Sequence, residues 1–317
     1  MKRVDSDFTS EGTRCGAWLF MPHASVGASP PPIVVMAHGF GGQRELRLPA
    51  FAERFASRGL AVLVFDYRCF GASDGTPRNW IDPRRHLADW RAAIAHVRSL
   101  TEVDGSRLGL WGTSFSGGHV LATAAALGGI SAVVSQVPFV GLAGSHAPRP
   151  PIGRVVRMLA AGCLDLVRSA VGASPYTVRI AGTPQEFALL DEPDVVDAFR
   201  ELVPPDSSWR NEAPARVVFQ MGRYRPLADA ERIRCPVLLI AAENDSLIPI
   251  ASVDAAAQRI PDCDYVRLHD TGHFEPYTGK VFERVVELEA DFLCKHLLGR
   301  QGGDEGSMQS RSGGRDR

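Results

Sequence analysis

The sequence predicts an α/β protein: a mostly parallel sheet with helices on both faces, interrupted once by a helical insertion. Three observations predict it. From Ile33 onward short apolar runs alternate with segments of helical period, the pattern of strand–helix–strand crossovers. The run Leu108–Trp111 passes through Gly112 and Ser114 straight into a helical segment rich in small residues, a tight strand-to-helix turn. The alternation then stops at Gly141 and resumes at Val237–Ala241. The stretch between is too long for a structureless loop.

The elements follow in order. Asp7–Met21 reads as early antiparallel strands around a turn at Glu11-Gly12. Next come strand Ile33–Ala37, helix Leu48–Arg58, strand Ala61–Tyr67, helix Arg85–Leu100, strand Leu108–Trp111, helix Phe115–Leu127 and strand Ile130–Gln136. Within the insertion, Val155, Val156, Leu159, Cys163, Leu166, Val167 and Ala170 recur at helical spacing across Ile152–Val171. That stripe is expected to pack the insertion onto the body. A second helical stretch covers Val195–Leu202. Strand Val237–Ala241, a helix at Ala251–Arg259, strand Tyr265–Leu268 and helix Val281–Leu297 complete the order, with helix expected from Tyr277 on. This divides the chain into a core of residues 1–140 and 235–300, an insertion over 141–234, and a tail, 301–317, whose Gly, Ser and charge content predicts disorder.

Ser114 carries the chemistry. It lies in Gly112-Thr-Ser114-Phe-Ser116-Gly-Gly118, where Gly112 ends the strand and a residue without Cβ suits the turn. The pattern Gly-x-Ser-x-Gly is imperfect around both Ser114 and Ser116, and an ordinary serine-rich turn is the competing reading. Position favours Ser114, because Ser116 already lies within the helix. A serine nucleophile needs a base, and His273 follows strand Tyr265–Leu268 in the loop Asp270-Thr-Gly-His273. His86 and His96 sit in a helical pattern and are expected in solvent, His119 is expected packed, and His146 sits in a Pro-rich loop, expected on the surface with a role in a pocket as the alternative. The orienting acid is expected after strand Val237–Ala241, where Asp245 competes with Glu243. The end of strand Ile130–Gln136 offers no carboxylate. Two backbone donors for an oxyanion are expected from Phe115, next to the nucleophile, and from Phe40 in His38-Gly-Phe40-Gly-Gly42.

These motifs, with Phe65-Asp66-Tyr67-Arg68 and Gly71-x-Ser73-x-Gly75, resemble in type and order the serine α/β-hydrolases over most of Val4–Leu298. The likeness runs toward dienelactone hydrolases, acetyl-xylan esterases, the catalytic domain of Xaa-Pro dipeptidyl-peptidases and hydrolase-like acyltransferases of polyketide pathways. It implies the α/β-hydrolase fold with a helical cap over the site. It also implies cleavage of a carboxylic ester or thioester through an acyl-enzyme, without metal or organic cofactor. Acyl transfer by the same triad is the runner-up and peptidase activity a third choice. A non-catalytic ligand-binding protein on this scaffold is the reading from another class. Cys69 stands where the resemblance expects glycine, and a structural thiol is expected there.

Composition bounds the partners. Net charge is −1 and the arginines are scattered among acids, so nothing marks a nucleic-acid partner. Cys15, Cys69, Cys163, Cys235, Cys263 and Cys294 show neither metal spacing nor a disulfide framework, which favours a reducing compartment. No apolar run suits a membrane span and the N-terminus has no signal-peptide core, so the expectation is a cytoplasmic enzyme with a small-molecule acyl ester or thioester substrate. Candidates for an apolar substrate pocket are Phe139, Val140, Met158, Phe187, Trp209 and Met221.

Overall fold

Eight strands form the central sheet of the computed structural model, which describes residues 1–23, 29–141 and 151–299. The chain enters through β1 (Lys2–Asp5) and a hairpin of β2 (Phe8–Ser10) and β3 (Thr13–Cys15), turning at Glu11 and Gly12. Then come β4 (Ala17–Met21), β5 (Pro32–Ala37), α1 (Leu48–Ser57), β6 (Ala61–Phe65), α2 (Pro83–Ser99), β7 (Asp104–Thr113), α3 (Phe115–Ala126) and β8 (Ala132–Gln136). The insertion holds α4 (Ile152–Ala170), β9 (Thr177–Ala181), β10 (Ala188–Leu190), α5 (Val195–Leu202), β11 (Ala213–Pro214) and α6 (Val217–Met221). The body resumes with β12 (Val237–Ala242), α7 (Ile250–Ala257), β13 (Cys263–Leu268) and α8 (Gly279–Leu297).

Strand order is β1-β4-β6-β5-β7-β8-β12-β13, with β1 and β4 antiparallel to their neighbours and the rest parallel. From β5 the chain moves outward to β6, then crosses back to β7 on the other side. Such a reversal opens a crevice beyond the carboxyl ends of the strands, where open α/β sheets bind ligands. The inner strands are buried on both faces, which is why they read as unbroken apolar runs. Helices α1 and α8 share one apolar core against the sheet, and α2, α3 and α7 cover the other face.

Three expectations are corrected here. Helix α8 starts at Gly279 after a single 3₁₀ turn at Glu275–Tyr277, not at Tyr277. His86 is fully buried and His96 half-buried, because their helix α2 packs both against the early hairpin and α3. The apolar stripe of α4 does not hold the insertion to the body. Only Ala161, Gly162 and Asp165 of that helix are buried. The other side of the helix joins it to the rest of the insertion: Asp165 forms a buried bidentate pair with Arg216, at 2.6 Å to Nε and 2.9 Å to a terminal nitrogen, Arg154 pairs with Asp191, and Ala161 and Gly162 pack against Ala215, Val218 and Phe219. The expected disordered tail and His146 lie outside the described residues.

Candidate active site

The site is built where β7 turns into α3. Ser114 adopts φ 55° and ψ −119°, a left-handed conformation that costs a non-glycine residue about 1–3 kcal/mol. Backbone bonds hold it there: its N–H donates to Gln136 at 2.8 Å and its carbonyl accepts from Phe139 N–H at 2.8 Å. Gly112 is required two residues earlier, since a Cβ there would lie 2.3 Å from the Ser116 carbonyl oxygen. Ser116 is fully buried, and its hydroxyl meets the Tyr67 hydroxyl at 3.0 Å, away from the crevice.

The two loops that follow β12 and β13 supply the partners. His273 Nε2 stands 3.0 Å from Ser114 Oγ, and its Nδ1 stands 2.7 Å from Asp245 Oδ2. The other carboxylate oxygen of Asp245 accepts the Leu247 and Ile248 N–H groups at 2.8 and 2.7 Å. Those bonds and near-complete burial of both side chains fix the acid and the imidazole relative to the serine. Glu243 is elsewhere. Its carboxylate accepts from Asp270 N–H at 3.2 Å and contacts His269 Nδ1 at 3.2 Å.

Phe115 is the first residue of α3, and the N–H groups of a first helical turn have no partner within their helix. Phe40 lies across from it, in the loop after β5, with the two rings edge to face at 5.4 Å. That loop is tightly held. Asp66 accepts Arg44 N–H at 2.7 Å and Ala72 N–H at 3.0 Å, joining it to the loop after β6. Trp209 of the insertion donates its indole N–H to Gly41 at 2.7 Å. Gly39 passes so near the elbow that a Cβ would sit 3.1 Å from the Ser114 Cβ. Cys69 takes φ 74°, which explains the glycine expected there, and burial raises its thiol pKa.

Behind Phe115 lies a buried layer of neutral rings. His86 Nδ1 is 3.2 Å from His119 Nε2, and His119 Nδ1 is 2.5 Å from the Tyr224 hydroxyl. Burial lowers the pKa of His38, His86 and His119, the last to about 3. Among the described residues no cluster of His, Cys, Asp or Glu has metal-binding geometry.

Ser114 opens onto two hollows. The larger, about 420 Å³, is walled by Phe40, Phe115, Phe139, Met158, Leu189, Val217, Val218 and Met221. Glu192 is its one charged side chain, with a carboxylate oxygen held by Asp191 N–H at 3.1 Å and a pKa raised by burial. The smaller hollow, about 50 Å³, lies on the His273 side, against Phe199, Leu202, Phe274 and Tyr277. Phe40, Leu190 and Leu247 border both.

Of the pocket candidates, Phe139, Met158 and Met221 line the larger hollow. The other three do not. Val140 faces a separate depression with Leu227 and Arg259, because the chain turns outward after Phe139. Phe187 packs beside Ala161, Val178 and Ala215 under the Arg157 guanidinium. Trp209 stacks on Phe199 while bonding Gly41. Leu189, Leu190, Glu192, Val217, Val218, Leu247 and Ile248 also line it and were not among the candidates. Leu247 and Ile248 alone carried a signal, since a loop that orients Asp245 must pass the serine.

A sheet of this order with a serine elbow at its crest, faced by a histidine and an aspartate from its last loops, defines the class of serine α/β-hydrolases. The chain belongs to the serine aminopeptidase S33 family of that class, whose family model matches residues 28–273. It is 42% identical to the quorum-quenching protein AidA of Acinetobacter baumannii (strain MDR-ZJ06), over 92% of this chain and 94% of that one. It is 26% identical to the thiohydrolase aneE of Aspergillus aculeatus (strain ATCC 16872 / CBS 172.66 / WB 5094), over 92% of each chain. It is 33% identical to the polyketide transferase grgF of Penicillium sp, over 94% and 98%. The solved α/β hydrolase GrgF from Penicillium sp. sh18 overlays with a TM-score of 0.78 at 23% identity, covering 94% of this chain and all of that one, a likeness of fold. The chain is an esterase- or thioesterase-like serine hydrolase, with acyl transfer as the alternative use of the same fold.

Proposed function

We propose that this enzyme cleaves an ester or thioester with a sizeable apolar acyl group and a compact leaving group. The observation that carries the reading is the line Ser114–His273–Asp245 opening between a large apolar hollow and a small one. Ser114 Oγ attacks the acyl carbon as its proton passes to His273 Nε2. Asp245 holds the Nδ1–H tautomer and stabilises the imidazolium. The Phe40 and Phe115 amides receive the oxyanion. On collapse the carbon–oxygen or carbon–sulfur bond breaks, and His273 returns its proton to the leaving atom on the small-hollow side. Water, deprotonated by His273, then attacks the acyl-serine, and Ser114 recovers its proton.

The larger hollow falls within the usual size of ligand pockets, and its walls suit an aliphatic or aromatic acyl group. Residues 141–234 act in this reading as the cap, with Met158, Leu189 and Val218 roofing the hollow. The enzyme works in the cytoplasm. Among the described residues no helix is long and apolar enough to cross a membrane. The name of the Acinetobacter relative adds quorum signals to the substrates worth testing, and the Penicillium transferase supports acyl transfer as the second reading.

Fluorophosphonate labelling followed by peptide mass spectrometry tests the nucleophile. A panel of acyl esters and thioesters with graded acyl and leaving groups tests the pocket. The expected result is an adduct on Ser114, with rates that tolerate long acyl groups and fall as the leaving group grows. Absence of labelling in folded protein would favour a non-catalytic binding role.

A further inference from the structure

Helix α4 turns its most apolar face to solvent. Seven of the nine large exposed hydrophobic residues of the described chain lie on this helix or its C-cap: Ile152, Val156, Leu159, Leu164, Leu166, Val167 and Val171. The four outermost are 59–79% exposed. With fully exposed aliphatic residues presenting roughly 150–200 Å² each, the seven offer on the order of 700 Å² per chain. That exceeds the apolar patch of a typical monomer and approaches the ~800 Å² per partner of a standard interface.

The face is suited to a second copy of itself. Ile152, Val156, Leu159, Cys163, Leu166 and Ala170 step by alternating four and three residues, the spacing of a helix–helix seam. The small residues Ala160 and Cys163 lie at its middle beside Leu159 and Leu164, so two antiparallel copies could interleave these leucines over the small residues at the centre. No charge interrupts the face, and the neighbouring arginines are engaged within the chain: Arg154 with Asp191, Arg157 over the Phe187 ring and Arg168 on the Ser174 carbonyl. A membrane-surface helix would carry bulky aromatic side chains on its apolar face, and α4 has none. The segments outside the described residues are poor in cover: the large apolar residues are Val26 in 24–28, Leu142 in 142–150 and Met308 in 300–317.

We propose that the protein is a two-fold homodimer joined by antiparallel pairing of α4. Pairing about the middle of the helix sets Val156 opposite Val167 of the second copy, and Ala160 opposite Cys163. Met158, on the inner side of the same helix, lines the larger hollow, so the pairing also braces the roof of the site.

Sedimentation velocity of the full chain, from about 1 to about 100 μM, covers the weak end of what interfaces of this size achieve. The wild type is expected to sediment as a dimer, and a short bismaleimide is expected to cross-link it through Cys163, with loss of the product in Cys163→Ser. Val156→Glu with Val167→Glu should yield monomer with an unchanged circular dichroism spectrum, because the register opposes like charges. Val156→Glu with Val167→Lys should restore dimer, because the same register opposes unlike ones. A wild-type monomer at the highest concentration overturns the proposal, as does a dimer that survives the double glutamate variant. Equal dissociation of the two double variants would overturn the antiparallel register. Co-flotation of monomeric wild type with phosphatidylglycerol vesicles, abolished by the glutamates, would assign the face to a lipid surface instead.

Discussion

Replacing Asp245 by Asn tests the proposed mechanism, because the structure fixes what the new amide must do. One carboxylate oxygen accepts two backbone N–H groups, from Leu247 and Ile248, at 2.8 and 2.7 Å. The other faces His273 Nδ1 at 2.7 Å. Asparagine has one acceptor oxygen. If it stays with the two backbone donors, its NH₂ points at Nδ1, and His273 must leave Nδ1 unprotonated to accept. The proton then sits on Nε2, 3.0 Å from Ser114 Oγ, where a base is needed. The opposite rotamer sets NH₂ against two N–H groups in a buried loop and forfeits two hydrogen bonds, each about 1 kcal/mol with a further desolvation cost. The first arrangement wins, so Asp245→Asn should keep its fold and lose on the order of 10⁴ in kcat, or about 5.5 kcal/mol. Steady-state kinetics on a short acyl p-nitrophenyl ester reads kcat, and thermal unfolding reads the fold. Glu243→Gln is the control and should be near normal, since Glu243 serves Asp270 and His269. A loss under tenfold in Asp245→Asn, or a comparable loss in Glu243→Gln, would refute the reasoning.

Four further outcomes are expected. Ser114→Ala should lower kcat by about 10⁴–10⁶, whereas Ser116→Ala, which removes one buried bond to Tyr67, should cost about 1 kcal/mol of stability and little rate, both read by kinetics and calorimetry. Met158→Ala should shift the acyl optimum toward bulkier groups by a graded ~1–3 kcal/mol, measured as kcat/KM across an ester panel. Glu192→Leu should lower kcat/KM by about 10–150-fold for acyl groups carrying an N–H or O–H and raise it for plain aliphatic ones, because a hydrogen bond to a charged acceptor contributes about 1.5–3 kcal/mol. Glu289, fully buried in α8 beside Trp111, has its pKa raised by burial to about 8. Between the ordinary value of 4.5 and about 8 the native state keeps a proton that the unfolded chain releases, so this group lowers stability as pH rises through that window. Glu289→Gln should therefore gain on the wild type in unfolding free energy as pH rises from 5 to about 8, by on the order of a few kcal/mol, read by denaturant unfolding at each pH; a constant difference across that range would count against the buried acid.

The parallel core was legible because its strands are buried on both faces, so each apolar run between turn residues had one reading. The elbow was legible for a related reason: Gly112 and Ser114 are forced by the local backbone, and local backbone leaves a local trace in sequence. Asp245 and His273 were legible because each follows its strand directly. The pocket was less so. Its walls come from the turn after β7, the loop after β12 and three segments of the insertion, and apolar residues carry no mark of which neighbours they meet. Trp209 illustrates the difficulty: a large aromatic in the insertion was an obvious lining candidate, yet its indole N–H is used on the Gly41 carbonyl. One buried histidine failed in the same way. His86 sits in a helix whose composition is polar, and its packing on Tyr67, with ring centroids 4.0 Å apart, and against Phe70, Phe115 and His119 removes it from water.

Helix α4 marks where periodicity runs out as an argument. The spacing of its valines and leucines established that one side is apolar, and the ordinary inference puts that side against the protein. The structure reverses it, because a buried ion pair and small residues occupy the inner side. Asp165 and Arg216 form a bidentate pair, Asp165 also accepts Tyr176 N–H at 2.9 Å, Arg216 also donates to Ser169 Oγ at 2.9 Å, and Gly162 lets Phe219 and Val218 pack against the helix backbone. A paired and hydrogen-bonded ion pair can occupy an interior that would otherwise demand apolar residues, and breaking it by removing one partner costs about 3–5 kcal/mol. The apolar side is then left without a partner among the described residues, and exposed apolar patches of several hundred Å² mark interaction surfaces. A hydrophobic stripe thus specifies that a helix will be covered, and only the polar residues on its other side reveal whether the cover is the chain itself or something else.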